Sequence, residues 1–168
     1  VSGGTKIDNA IFLNFARLLS KDEIKKGSFQ LDLGVKQAHS YVKTVFDDNR
    51  ILIKDISGSN GYLVNSPVGE YGILYATGSL GTETITGSAV DQNGRVKCGL
   101  IFYQAGICVL TSSVFGSLLS TACQFDGPSS TIEGFDAVLT GSTIDVAANM
   151  FRNRMYSLQF NNTVELNS

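Results

Sequence analysis

From Phe29 to Val35 every second residue is apolar: Phe29, Leu31, Leu33 and Val35 alternate with Gln30, Asp32 and Gly34. A period of two places one set of side chains on one face, so this stretch is expected to be a strand half buried against a core. The alternation returns over 39–46 and, after an Asp47-Asp48-Asn49 turn, over 50–56; the two read as a hairpin. Further strands are expected at 62–65 and 71–77, joined through Ser66-Pro67-Val68-Gly69, and around 82–90. Asn93-Gly94 is a strong short hairpin signal. It leads into 95–103, and Gln104-Ala105-Gly106 then leads into 107–111. These last two runs are the most apolar of the chain and should form the buried centre of a sheet. A weaker strand is expected around 135–139, with 124–130 as loop. Residues 156–160 and 163–166 return to strand around an Asn161-Asn162 turn or bulge. The run Ile11–Leu19 is ambiguous between strand and helix.

Two helical segments are expected within this β pattern. Ser20-Lys21-Asp22-Glu23 has capping-box spacing, and Gly27 can end a short turn in the left-handed conformation, which predicts a helical turn near 20–26. Near the end, Ser142 can cap a helix with Asp145 in its first turn. Ile144, Ala148, Phe151 and Met155 then form one apolar stripe, which predicts an amphipathic helix near 142–155. Phe115, Leu118 and Leu119 suggest a short helix over the sheet. The fold class is therefore mainly β, a β-rich α+β arrangement of antiparallel sheets forming a sandwich- or barrel-like module.

At 168 residues the chain fits one domain. Residues 1–9 read as a flexible arm and 10–168 as a single β-rich domain, with both ends looking cut from a longer chain. Hydrophobic residues make up 43% and charged residues 17%, so the sequence is a folding one rather than a disordered one. The net charge is −2, and the only basic cluster, around Lys21, Lys25 and Lys26, is balanced by Asp22 and Glu23. That argues against a nucleic-acid partner. No apolar run approaches the ~20 residues that span a bilayer, and no secretory signal opens the chain, so no membrane partner is expected.

None of the tests for chemistry yields a candidate. His39 is the sole histidine, and it sits at the start of an expected strand without the neighbours of a catalytic base. Asp47 and Asp48 are adjacent, so they point apart, and they sit in a turn. Gly58–Gly61 and Gly78–Gly81 are glycine-rich, but neither opens a helix as a phosphate loop must; both read as turns. Asp91-Gln92-Asn93-Gly94 lacks the distal acidic ligand of a calcium loop, since Phe102 stands there. Three cysteines, Cys98, Cys108 and Cys123, have no metal-ligand spacing. Cys98 and Cys108 flank a turn, so a cross-strand disulfide between them stays open, although both read first as small buried hydrophobes. Asn161-Asn162-Thr163 matches a glycosylation sequon. The aromatics read as core; Tyr62, Tyr71, Tyr75 and Tyr103 are the alternative candidates for a sugar-stacking face. No catalytic, cofactor-binding or metal-binding residue is assigned, no cofactor is expected, and a small-molecule ligand is not expected.

Four strings carry a resemblance: FARLLSKDEIKKGSFQLDLGV (Phe15–Val35), NSPVGEYGILYATG (Asn65–Gly78), GLIFYQAGICVLTSSVF (Gly99–Phe115) and FRNRMYSLQFNNTVELNS (Phe151–Ser168). Together, in this order, they resemble large virion structural proteins of T-even-like marine cyanophages and related marine tailed phages. Residues 82–90 and 117–132 depart from the pattern. The resemblance implies a β-rich tail- or baseplate-type module that continues into further sequence, is assembled into a virion in the host cytoplasm, and has other virion proteins as partners. It supplies no catalytic motif. The expected function is a non-catalytic structural assembly module, a homo-oligomer by virtue of open strand edges, and not an enzyme. The alternative is a receptor- or glycan-binding module of a tail fibre. A wall-degrading hydrolase would need a cleft with two inward carboxylates, or His39 beside a Ser or Cys.

Overall fold

A computed structural model describes residues 10–15, 23–35, 50–56, 64–66, 69–80, 94–115, 124–126, 132–134 and 143–163. The strands, in chain order, are β1 (Ala10–Asn14), β2 (Glu23–Ile24), β3 (Gln30–Gly34), β4 (Arg50–Asp55), β5 (Val64–Ser66) and β6 (Gly69–Leu80). They continue with β7 (Val96–Phe102), β8 (Ile107–Thr111), β9 (Gln124–Asp126), β10 (Ile132–Gly134), β11 (Met155–Gln159) and β12 (Asn162–Thr163). Seven of them lie side by side in the order β1-β8-β7-β6-β4-β3-β11. Every neighbouring pair on this path is antiparallel, and β5 pairs with β6 beside it. The expected mainly β, antiparallel fold is the one observed.

The period-two pattern sets the inner face. Leu31 and Leu33 of β3, Ile51 and Ile53 of β4, Leu74 and Ala76 of β6, and Cys108 and Leu110 of β8 are all buried in one cluster. Burying one such large side chain contributes roughly 1.5–3 kcal/mol. Phe15, Ile24, Phe29, Val35, Val114, Phe115 and Phe151 close the cluster from outside the main ladders.

Three register shifts bend this sheet. On β6, Ser79 and Ala76 stand opposite Ile51 and Ile53, so three steps of β6 match two of β4. On β7, Lys97 and Gly99 stand opposite Tyr75 and Leu74, which makes Cys98 the extra residue. On β11, Met155 and Ser157 stand opposite Leu33 and Asp32, which makes Tyr156 the extra residue. Bulges raise local twist and curl a sheet. The curl brings the two edges together at one end. Phe15, just after β1, packs against Phe160, just after β11, with ring centroids 5.7 Å apart, and against Phe29 at 5.9 Å. A small β2·β12 ladder lies at this end. Ile24 N–H donates to the Tyr103 carbonyl (3.0 Å) and Lys25 N–H to the Asn161 carbonyl (2.7 Å).

Several expectations change. Glu23–Ile24 is a strand and not part of a helical turn near 20–26; tertiary pairing with Asn162–Thr163 overrides the local capping signal. Gly27 does take a positive φ of 81°, but in the turn that follows the strand. Gly78 lies inside β6, at its register shift, rather than in a turn; glycine in a strand often marks such a shift. Gln124–Asp126, expected as loop, is a strand paired with β10. Helix α1 (Ile144–Arg154) runs straight into β11. Ile144 is 87% exposed and Ala148 is exposed as well, while Phe151 is buried. The apolar stripe therefore does not face the core along its whole length: Ile144 and Ala148 are in solvent and Phe151 is in the core. Phe115 ends a short 3-10 turn (Ser112–Phe115). The hairpin partner at 39–46, the strands around 82–90 and 135–139, and Leu118 and Leu119 lie outside the described residues. β4 itself pairs with β3 and β6.

Candidate functional site

Three arrangements of polar or exposed apolar side chains stand out from the sheet. The first is inside it. Asp55 ends β4 on the same face as Ile51 and Ile53 and is 4% exposed. Tyr103, in the β7–β8 turn and fully buried, donates its hydroxyl to Asp55 Oδ2 at 2.6 Å. Gly27 N–H donates to the same oxygen at 2.8 Å. Gly72 of β6 lies against this pair: a Cβ there would overlap the Tyr103 hydroxyl and press on Asp55 Oδ1. Asp55 N–H in turn donates to the Phe29 carbonyl (3.1 Å). A buried carboxylate is costly unless hydrogen-bonded, and here its bonds tie β4, the Gly27 turn and the Tyr103 turn together. Above the ring, Lys26 Nζ sits 5.9 Å from the Tyr103 centroid and pairs with Glu70. Buried as they are, Asp55 and Tyr103 can hold the turns in place but are not presented to a substrate.

The second arrangement joins the helix and the outer side of β3. Arg154, 3% exposed, donates from Nη1 to the Gly34 carbonyl at 3.0 Å and lies 5.9 Å from the Phe115 ring centroid. Phe115 and Phe151 meet edge to face at 5.8 Å. Nearby, Arg50 lies over the Tyr156 ring at 4.0 Å and 3.6 Å from Asp32 Oδ2. Asp32 Oδ1 accepts from Gln30 Nε2 at 3.2 Å.

The third is on the face turned away from the core. In one register row Phe12 of β1 stands opposite Val109 of β8, Val109 opposite Leu100 of β7, and Leu100 opposite Ile73 of β6. This apolar row crosses four strands, and its end member Phe12 is 70% exposed. A second row carries Tyr71 and Phe102, with ring centroids 5.6 Å apart. On the other side of the apolar row, Arg95 lies 5.4 Å from the Tyr75 ring centroid.

Of the residues weighed from sequence, Tyr71 and Tyr75 are half-buried on this outer face, whereas Tyr103 is in the core and leaves the sugar-stacking group. His39, Asp47, Asp48, Gly58, Gly61, Tyr62 and Cys123 lie outside the described residues. Cys98 and Cys108 are both buried and free, with no disulfide between them. Burial pushes the Cys98 thiol up to about 12, against a smaller opposing hydrogen bond from the Ala76 backbone. Burial, and then the neighbouring Cys98, pushes Cys108 up as well. Thiols held protonated in this way are poor nucleophiles. Among the described residues, no three His, Cys, Asp or Glu side chains gather as a metal site, and no helix is long and apolar enough to cross a membrane.

The chain matches no protein-family model, no curated protein and no solved structure.

The sequence reading missed the Asp55–Tyr103 pair. The signal was present: with Ile51 and Ile53 inward, period two places Asp55 inward too. The buried Arg154 had a signal as well, since it falls three residues after Phe151 and so shares its face of the helix.

Proposed function

We propose that this chain is a non-catalytic structural module of a larger virion protein of the tail or baseplate type, working by protein–protein assembly. The observation that carries it is where, among the described residues, the core is only partly covered. Those partly buried apolar residues are Ile11 and Leu13 on β1, Met155 and Leu158 on β11, and Phe160 just beyond it. All belong to the two edges of the sheet. Apolar surface left at strand edges is surface that another chain can cover. The buried polar groups described above serve to bind turns together, which fits a rigid part of an assembly better than a reactive site. The likeness of four long strings to marine phage virion proteins supplies the particle context. The test is to tag the longer gene product that contains this chain and reconstruct the purified particle. Density for the curled sheet at the tail or baseplate is expected; a product absent from purified particles would overturn the reading.

A second reading, glycan or receptor binding by a tail fibre, is favoured by Tyr71, Phe102, Tyr75 and Arg95 on one face. Aromatic rings with a neighbouring cation suit a sugar ring. Binding on a glycan array that disappears on Tyr71→Ala with Tyr75→Ala would establish it.

A further inference from the structure

We propose that the face of the sheet turned away from the core carries a shallow site for an acidic sugar, centred on Tyr75 and framed by Lys54, Lys97 and Arg95. This narrows the glycan reading to one chemical class of ligand and rests on that reading. In the ladder, Lys54 of β4 stands opposite Tyr75 of β6, and Tyr75 opposite Lys97 of β7. Directly paired residues project to the same face. It is the outer face, because the chain neighbours Ile53, Ala76 and Val96 are in the core. Lys54 and Tyr75 are half-buried and Lys97 is exposed. Arg95, two residues before Lys97, lies 5.4 Å from the Tyr75 ring centroid. Neighbouring strands are ~4.8 Å apart, so the two lysine stems start ~10 Å from each other with the ring between them. Both ammonium groups can reach one anion held above that ring.

Three basic side chains thus gather round one ring in a chain whose net charge is −2. Among the described residues no carboxylate pairs with Lys54 or Lys97; the ion pairs there are Lys26–Glu70 and Arg50–Asp32. Asp32 shares the outer face at the next position, opposite Leu52, and is held by Arg50 and Gln30. Like charges brought close repel, and an anion placed between them removes that cost. Lysine and arginine hold a carboxylate or sulfate through charge-assisted hydrogen bonds, while the tyrosine adds an apolar ring and a polar hydroxyl. Two facts select a sugar acid as the carrier of that anion. First, β4, β6 and β7 are each paired on both sides, so a peptide has no open backbone here to join as a strand. Recognition falls to side chains alone, which suits a ring bearing hydroxyls and one acidic group. Second, a long polyanion such as nucleic acid would meet a net-negative chain, whereas a ligand of one or two charges needs only this local cluster.

The 168-residue chain tests this on a glycan array that carries neutral oligosaccharides beside their carboxylated and sulfated counterparts. Calorimetric titration with a glucuronate oligosaccharide, and with the glucose oligosaccharide of the same length, then measures the difference. Binding is expected to be confined to the acidic members and to weaken with added salt. Lys54→Gln and Lys97→Gln should each weaken it ~2–5-fold, about what an exposed ion pair supplies. Lys54→Arg, which keeps the charge, should bind as the parent does. Lys25→Gln removes the same charge from an exposed lysine beside the β2·β12 ladder and should change binding less than ~2-fold. An unchanged melting temperature checks that each variant is folded. Equal binding of neutral and acidic sugars, or acidic-sugar binding indifferent to Lys54→Gln combined with Lys97→Gln, would overturn the inference and leave the glycan reading standing. An oligoglutamate peptide of the same charge bound as tightly as the glucuronate oligosaccharide would overturn the assignment to a sugar. An array on which no sugar is bound would end the glycan reading and this inference with it.

Discussion

Tyr103 holds two turns together, because its hydroxyl meets Asp55 where Gly72 leaves room. Tyr103→Phe should cost roughly 1–3 kcal/mol, the usual effect of taking one partner from a buried charged group. Gly72→Ala should cost about 1–3 kcal/mol or more by overpacking. The two should not add: with the hydroxyl gone, the worst overlap of the new methyl is relieved, although Asp55 Oδ1 at 2.9 Å and the Tyr103 ring at 3.0 Å stay close, so the double variant should be more stable than the sum predicts. Denaturant unfolding of the four proteins measures this directly. The buried thiols give a second prediction. Cys98 rises from 9.0 to about 12 on folding, so the folded chain holds a proton that the unfolded chain releases. Stability from this group is intact below pH 9 and falls as pH climbs from 9 towards 12, by up to ~1.4 kcal/mol per pH unit. Cys98→Ala should flatten part of that slope in melts taken across this range. At neutral pH neither Cys98 nor Cys108 should react with a thiol reagent until the protein unfolds.

At the scale of single elements, α1 is anchored at its end by the buried Phe151 and Arg154. Phe151→Ala should cost about 3–5 kcal/mol, as for other buried phenylalanines, whereas Ile144→Lys should stay within about 0.5 kcal/mol because its side chain is in solvent. Thermal midpoints of the two variants separate these outcomes. The same helix shows how far sequence reaches. Its existence, its acidic start and its basic end were readable from 142–155, but not which turn would dock. The stripe Ile144, Ala148, Phe151, Met155 has correct spacing, yet Met155 is the first residue of β11, and it is in the last turn that Phe151 meets Phe115 and Arg154 meets the Gly34 carbonyl of β3. Strands β3 and β4 were legible from local alternation, and β7 and β8 from apolar runs set off by turn residues. β2 was not: two residues carry no period, and their state depends on Asn162–Thr163, far along the chain. The outer-face row ending in Phe12 was equally hidden, since it is assembled from one residue on each of four strands.

For the whole molecule, burial is graded from centre to edge. β4 and β6 lie mid-sheet with fully buried Ile53 and Leu74, whereas β1 alternates exposed and half-buried residues. Amide exchange should follow this: the bonded amides of β4, β6 and β7 should be slowest, and Phe12 of β1 should exchange quickly in dilute solution.

The sheet path has seven members, each antiparallel to the next. Counting directions along it, the first and the last run the same way. A cylinder built only from antiparallel contacts needs an even number of staves, so the seven among the described residues cannot close on one another in that way. However tightly these seven curl, their outermost members run the same way, and one further stave laid against either rim would restore the alternation.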